Sequence, residues 1–200
     1  INGQGPRITP EAQAELFAKL DKLQAGDTLV LAGSIPNTLP DDIYQRIMSR
    51  LEGRNINIVV DATKQLLLKV LPYKPFLIKP NNHELGEMFG VVLKTKDEII
   101  THAKKLQEMG ARNVLISMAG DGALLLTEDG TVYESAAPKG TLVNSVGAGD
   151  SMVAGFICGY KETGSLEEAF YMGVATGSAS AFSENLATRA EADALLKTIH

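Results

Sequence analysis

One short segment of the sequence combines glycine with a carboxylate in a pattern that suits phosphoryl chemistry. Gly147, Ala148, Gly149 and Asp150 come just before a stretch of small and apolar residues that predicts a buried helix. The start of a helix offers unpaired backbone N–H groups and partial positive charge, and glycines let an anion approach the main chain. A phosphoryl group in transfer is such an anion. Asp150, in the first turn, would accept a proton from an attacking hydroxyl group.

A structural interpretation of the same segment is a tight turn with Asp150 as a helix cap. The rest of the chain alternates between short apolar runs and helical patterns, which indicates an α/β fold with a mostly parallel sheet and helices on both faces. Loops at the carboxyl ends of parallel strands share one edge, where ligands bind. Three further polar loops are predicted at this edge: 33–36, 80–84 and 118–122.

The predicted elements cover most of the chain. The strand at 28–32 is a continuous apolar run, which predicts burial on both faces. Asp129 and Gly130 form a turn dipeptide, so an antiparallel hairpin is expected at the sheet edge. The other strands are predicted at 56–60, 76–79 and 113–117, and the helices at 10–25, 40–51, 64–70, 95–110, 149–162, 165–183 and 189–199.

Composition excludes several classes of function. With 200 residues, 44% of them hydrophobic, the chain is sized for a single domain. A net charge of -5, with the lysines and arginines scattered, argues against a nucleic-acid partner. Cys158 is the one cysteine, so no internal disulfide forms and a reducing compartment is expected. The sequence has no run of about 18 apolar residues and residues 1–5 lack signal-peptide features, so we expect a cytoplasmic protein without membrane contact.

The string from Asn144 to Ile157 closely resembles the second signature of the phosphofructokinase-B sugar kinases, which belong to the ribokinase-like superfamily. The resemblance continues along the whole chain, and its segments follow the family's order and spacing: 33–36, 79–81, 84–90 and 117–122. It implies a ribokinase-like three-layer sandwich and an ATP-dependent kinase that uses Mg²⁺.

The resemblance also implies roles for individual residues. Asp150 matches the catalytic base, which also contacts the substrate, and the backbone of Gly147, Ala148 and Gly149 matches the anion hole. Lys79 and Asn81 match a segment near the ATP phosphates. The remaining nucleotide contacts are expected from one loop, formed by Ser117, Met118, Ala119, Gly120, Asp121 and Gly122.

Asn81 and Glu84 fit the family's Asn-x-x-Glu motif, whose acid organises magnesium through water. The alternative for this pair is a helix cap with its capping-box partner, which is compatible with the metal role. Ser34 resembles a residue that contacts the substrate phosphate, and the alternative is a turn after a strand. Some family members bind potassium beside the anion hole, and Asn144 and Val146 are the candidates here.

The small residues from Gly173 to Ser180 leave two interpretations open. In the family this region packs beside the nucleotide base. The alternative is close packing of a helix on the sheet.

The family's chain normally begins with a further portion that carries sugar-binding residues and a lid, through which homodimers form. Residues 1–8 resemble the return from that lid, so we interpret this chain as the ATP-binding and catalytic portion, inactive or nearly so by itself. The resemblance is greatest to members that phosphorylate the 6-hydroxyl of fructose 1-phosphate, giving fructose 1,6-bisphosphate. The alternatives are a tagatose-6-phosphate kinase and an inactive nucleotide-binding or interaction module.

Overall fold

The computed structural model describes residues 7–199. Residues 1–6, which begin the predicted return from a lid, lie outside the described residues. The chain divides into two compact units, Ile1–Asn113 and Val114–His200. Among residues 7–199, no helix has both the length and the apolar character needed to cross a membrane.

The first unit alternates helices with parallel strands. Thr9 begins its first helix by accepting a hydrogen bond from the Ala12 N–H group, as the sequence predicts. The elements are α1 (Pro10–Leu20), β1 (Thr28–Ala32), α2 (Ile43–Leu51), β2 (Asn57–Asp61), α3 (Lys64–Val70), a 3₁₀ turn (Leu71–Tyr73), β3 (Leu77–Ile78), α4 (Asn82–Phe89) and α5 (Lys96–Glu108).

The register of these strands brings their carboxyl ends to one edge. In the parallel pair of β1 and β2, Ala32 lies opposite Asp61, and in the parallel pair of β2 and β3, Val60 lies opposite Ile78. The side chain and the N–H group of Asn113 both donate to the Phe76 carbonyl oxygen, at 2.8 and 3.1 Å. The residues that follow β1, β2 and β3 therefore lie at the same edge of this unit.

Burial of β1 on both faces, predicted from its apolar run, is wrong. Val30 in the middle of the strand is 42% exposed, whereas Leu31 is buried. The physical reason is that Val30 and Ala32 share one face of the strand and both are exposed, so residues 7–199 cover only the opposite face, where Leu31 lies. An apolar run indicates that burial of the strand would be favourable, but it does not show which of the two faces is covered by another element.

Two helices of the first unit are shorter than predicted. Helix α1 ends at Leu20 instead of continuing to Gly26, because the N–H groups of Lys22 and Leu23 turn back to carbonyls three residues earlier. Helix α2 begins at Ile43 instead of Pro40, after two single turns closed at 36–39 and 40–43. Both differences concern helix ends, where isolated turns compete with regular helix.

The second unit combines an antiparallel meander with three helices. Its elements are β4 (Asn113–Ser117), whose first residue belongs to the first unit, then β5 (Ala123–Leu126), β6 (Val132–Ser135), α6 (Ala148–Thr163), α7 (Leu166–Ala181) and α8 (Arg189–Leu196). Ser117 lies opposite Ala123, and Leu126 opposite Val132. The hairpin predicted at Asp129 is confirmed, since its carboxylate accepts from the Thr127 hydroxyl and the Thr131 N–H group.

Helices α6 and α7 pack at very short range. A Cβ atom at Gly155 would lie 2.4 Å from Thr176 Oγ1, and one at Gly173 would lie 2.9 Å from the Met152 carbonyl oxygen. Phe156 and Phe170 are fully buried. Residues 173–180 are therefore closely packed, but Gly173 and Gly177 lie against helix α6, whereas the expected partner was the sheet.

Candidate active site

A hydrogen bond from helix α2 supports the loop that follows β1. The Tyr44 hydroxyl donates to the Ala32 carbonyl oxygen at 2.8 Å, and the Gly33 N–H group donates to the Asp61 carbonyl oxygen at 2.9 Å. Burial, followed by the nearby charge of Asp61, raises the pKa of the Tyr44 hydroxyl above its ordinary value, which keeps it a neutral donor. Ser34, predicted to contact a substrate phosphate, lies exposed in this loop. The loop thus holds Ser34 open to solvent on a fixed backbone.

Lys79 is a buried cation next to the end of β3. Its side chain is only 9% exposed, and its Nζ lies 3.3 Å from Asp61 Oδ1. A buried charge requires a partner of opposite sign, and Asp61 provides it from the carboxyl end of β2. Asp61 was not among the predicted site residues, since the strand was predicted to end at Val60. The signal was present, because a carboxylate directly after a buried apolar run lies at the ligand-binding edge of a parallel sheet.

Asn81 and Glu84 form the capping box of α4. Asn81 Oδ1 accepts from the Glu84 N–H group at 2.8 Å, and Glu84 Oε2 accepts from the Asn81 N–H group at 2.9 Å. The cap predicted as one interpretation of these residues is confirmed. It fixes the Glu84 carboxylate at the start of the helix, where Oε1 has no partner in the described part of the chain.

The loop predicted to contact nucleotide connects β4 and β5. It is closed by a hydrogen bond of 2.9 Å from the Met118 N–H group to the Gly122 carbonyl oxygen. Ala119, Gly120 and Asp121 form a single exposed 3₁₀ turn at its tip. Gly122 has a φ of 96°, and a Cβ atom there would lie 2.0 Å from the Ser135 carbonyl oxygen of β6. Only glycine fits this position, which sets the path of the loop.

The start of α6 has the geometry of an anion site. Gly147 is the N-cap with a φ of 80°, a left-handed conformation that favours glycine. The Ala148 N–H group donates to the Ser145 carbonyl oxygen at 3.2 Å, and the Ser151 N–H group donates to that of Gly147 at 2.8 Å. Between them, the N–H groups of Gly149 and Asp150 have no protein partner among residues 7–199. These two amides therefore remain available to an anion.

Asp150 lies in the first turn of α6, and its side chain is exposed. Exposed apolar side chains occur in the segments before and after the glycines, where Leu142, Val143, Val146 and Leu186 are 52% to 79% exposed. Leu186 covers Gly147, since a Cβ atom on that glycine would lie 2.7 Å from Leu186 Cδ2. The carboxylate and the free amides thus open to solvent beside apolar side chains.

The segment before the glycines is held by the end of α7. The N–H groups of Val143 and Asn144 both donate to the Ala181 carbonyl oxygen, at 2.9 and 3.1 Å. Asn144 Oδ1 accepts from the Val146 N–H group at 3.0 Å. Both potassium candidates, Asn144 and Val146, are exposed.

A buried pair of hydroxyl groups joins the end of α7 to the first turn of α6. Ser180 Oγ donates to Ser151 Oγ at 2.8 Å and accepts from the Ala187 N–H group at 2.9 Å. Ser151 and Ser180 are 7% and 2% exposed. This contact joins residues 29 positions apart and was not predicted from the sequence, because small residues at helical spacing indicate packing without specifying a partner.

Comparisons with known proteins agree with this arrangement. The pfkB family of carbohydrate kinases matches residues 1–193. The chain is 51% identical over 199 residues to the 1-phosphofructokinase of Bacillus subtilis strain 168, covering 100% of this chain and 65% of that protein. It is 38% identical over 188 residues to the D-tagatose-1-phosphate kinase of Bacillus licheniformis, covering 93% of this chain and 61% of that protein. The chain thus spans less than two thirds of the length of these relatives.

Solved structures show the same fold. A provisionally named phosphofructokinase from Staphylococcus aureus superposes with a TM-score of 0.94 at 36% identity, over 100% of this chain and 65% of that one. The ribokinase of Arabidopsis thaliana, solved with ribose and ATP, superposes with a TM-score of 0.76 at 20% identity, over 96% of this chain and 61% of that one. The α/β, ribokinase-like fold predicted from the sequence is confirmed. By its sequence match and its fold, the chain belongs to the pfkB family of carbohydrate kinases.

Proposed function

We propose that this chain is the ATP-binding and catalytic portion of a sugar-phosphate kinase that transfers the γ-phosphoryl group of ATP to the 6-hydroxyl of fructose 1-phosphate. The observation that carries the proposal is the pairing of an exposed carboxylate, Asp150, with two unpartnered amides at the start of α6. The amides of Gly149 and Asp150 would bind the equatorial oxygens of the phosphoryl group, where negative charge is greatest.

Asp150 would act as the base. Its carboxylate lies in the first turn of α6 and would accept the proton of the sugar hydroxyl as that oxygen attacks phosphorus. Base catalysis of this kind contributes about 10²- to 10⁴-fold in rate. Leu186, which lies over Gly147, would reduce the access of water to the transferred group.

By resemblance, the loop from Ser117 to Gly122 would contact the nucleotide, and Lys79 is proposed as a residue for the ATP phosphates. Gly122 fixes the path of this loop, and its exposed tip offers backbone groups to a ligand. An ion pair with Asp61 holds Lys79 at its position. We infer that Ser34, on its braced loop, contacts the phosphate already present on the sugar.

Asn81 and Glu84 fit a magnesium ion that keeps its water ligands. Asn81 Oδ1 and Glu84 Oε2 serve the capping box, which leaves Glu84 Oε1 to accept hydrogen bonds from metal-bound water. When bound, Mg²⁺ would neutralise charge on the phosphates. The role of the chain here is to orient one carboxylate oxygen. Potassium at Asn144 and Val146 remains a prediction.

A second candidate substrate is tagatose 1-phosphate, which the D-tagatose-1-phosphate kinase of Bacillus licheniformis brings into consideration. Tagatose and fructose differ only in the configuration at C4, and both 1-phosphates carry a free 6-hydroxyl. The names of the two relatives give no added support to the tagatose 6-phosphate alternative. An interaction module without catalysis is the remaining alternative.

The test uses an extended chain, defined as this chain preceded by the amino-terminal portion of the Bacillus subtilis relative. ATP consumption would be measured with fructose 1-phosphate, tagatose 1-phosphate, tagatose 6-phosphate and fructose 6-phosphate. We expect the highest kcat/KM with fructose 1-phosphate, and little or no turnover by the 200-residue chain alone. ATP binding without turnover of any sugar would favour the interaction module. By resemblance, we also propose that the whole protein is cytoplasmic and forms a homodimer through its lid.

A further inference from the structure

The hydroxyl group of Ser180 contacts both sides of the proposed anion site. Its Oγ donates to Ser151 Oγ, and Ser151 directly follows Asp150 in the first turn of α6. The same oxygen accepts from the Ala187 N–H group, and Ala187 directly follows Leu186. Leu186 in turn covers Gly147. One side chain thus joins the turn that carries the carboxylate to the segment that covers the glycine.

The hydroxyl groups of Ser180 and Ser151 form these hydrogen bonds in a buried position. Ser180 is 2% exposed and Ser151 is 7% exposed, so water has little access to either hydroxyl. A hydroxyl group that loses its partner in such a place leaves a buried polar atom unsatisfied. The bonds therefore favour one arrangement of the two segments over alternatives that shift either of them.

Close helix packing leaves little room for other arrangements. A Cβ atom on Gly177 would lie 3.0 Å from the Ala148 carbonyl oxygen and 3.1 Å from Met152 Cβ. The backbone of α7 thus lies against the first turn of α6, one helical turn before Ser180. The following residue, Ala181, accepts from the N–H groups of Val143 and Asn144. The end of α7 is in contact with the chain both before and after the glycines.

We propose that Ser180, acting through Ser151 and Ala187, is a positioning residue that sets the orientation of the amides of Gly149 and Asp150 and of the Asp150 carboxylate. This proposal rests on the proposed kinase function. The anion site needs its donors fixed before reaction, because reorienting them during transfer costs rate. Misplacement by about 1 Å lowers the rate by about 100-fold. Ser180 itself does not touch the reacting atoms.

Kinetics of the extended chain provide the first test. Ser180→Ala should lower kcat by about 10-fold or more, and the KM for ATP should stay within about threefold, because the nucleotide loop lies elsewhere in the sequence. Ser151→Ala should have a similar effect, and the double variant should be little worse than either single one. Ser178→Ala is the matched control, since Ser178 is on the same helix and makes no side-chain hydrogen bond among residues 7–199.

Amide hydrogen exchange of the 200-residue chain provides the second test, independent of catalysis. Ser180→Ala should increase exchange of the hydrogen-bonded amides in 145–151 and 184–188, among them those of Ala148, Ser151 and Ala187, by about 10-fold or more, and exchange in β4 and β5 should be unchanged. If Ser180→Ala does not fold, Ser180→Cys, of similar size with a much weaker hydrogen bond, replaces it in both tests. Unchanged exchange in both segments, or a folded variant with kcat within about twofold of the parent, would overturn the proposal.

The two proposals fail in different ways. If Asp150→Asn retains full turnover, the proposed function fails, whatever Ser180 does. If Asp150 is required but Ser180→Ala lowers only thermal stability and leaves kcat intact, the positioning role alone fails. Equal losses in Ser180→Ala and Ser178→Ala would also contradict it, since only the first removes the buried bond.

Discussion

Lys79 Nζ lies 3.3 Å from Asp61 Oδ1, across the carboxyl ends of the adjacent parallel strands β3 and β2. Both side chains are largely buried, at 9% and 18% exposure. The pair keeps a cation at the edge where we propose that the ATP phosphates bind. The stability of the first unit should therefore also depend on Asp61, for which no contact with substrate is proposed.

Asp61→Asn should destabilise the chain by about 3 kcal/mol, because it leaves the charge of Lys79 buried without a partner. Urea unfolding of the 200-residue chain measures this difference. Glu87→Gln is the control, since Glu87 forms an exposed ion pair with Lys64 and its loss should cost about 0.5 kcal/mol or less. Equal effects of the two variants would show that the buried pair contributes no more than a surface pair.

Gly122→Ala should destabilise the second unit by about 2 kcal/mol or more. Its added methyl group would meet the Ser135 carbonyl oxygen at 2.0 Å, and its φ of 96° is strained for any other residue. Thermal unfolding and ATP titration of the same variant would check both the fold and the loop. Gly120→Ala, in the same loop but with open space around it, should change stability by about 0.5 kcal/mol or less. If Gly122→Ala were as stable as the parent, the expected clash with the Ser135 carbonyl oxygen would be contradicted.

The ion pair of Asp21 with Arg50 predicts a pH dependence of stability. A hydrogen bond from Arg50 lowers the pKa of the Asp21 carboxyl below its ordinary 3.8. Because the folded pKa is the lower one, the contribution of the pair is complete above the unfolded pKa and is lost as pH falls through the folded pKa. Asp21→Asn should therefore lower the unfolding midpoint more at about pH 6, where the contribution of the pair is complete, than at about pH 2.5, which is below the unfolded pKa. An equal decrease at both pH values would contradict this assignment.

Local patterns in the sequence were sufficient to predict much of the fold. Thr9, Thr95 and Asn81 cap helices as expected, because each cap depends on residues within three positions. The hairpin at Asp129 and Gly130 was also predicted, because its turn depends on neighbouring residues. The contacts that were missed join distant residues, such as Lys79 with Asp61 and Ser180 with Ser151. Val30 shows the same limit, because its exposure depends on which elements lie beside β1.

The candidate site shows the same difference between features that depend on nearby residues and features that depend on other parts of the chain. The sequence predicted the start of α6 to within one residue and placed Asp150 in its first turn, which the structure shows. It predicted the anion hole at 147–149, and among residues 7–199 the N–H groups of Gly147, Gly149 and Asp150 have no protein partner, whereas the Ala148 N–H group donates to the Ser145 carbonyl oxygen. A motif identifies such a segment, but which of its amides are free depends on the turn that precedes the helix.

Asp150→Asn in the extended chain tests the central claim most directly. The amide keeps the size of the side chain but removes the base, so kcat with fructose 1-phosphate should fall by about 10²-fold or more. ATP affinity, measured by calorimetry, should remain within about threefold, because the nucleotide loop is untouched. A variant that binds ATP normally and turns over at the parent rate would show that Asp150 is not the base.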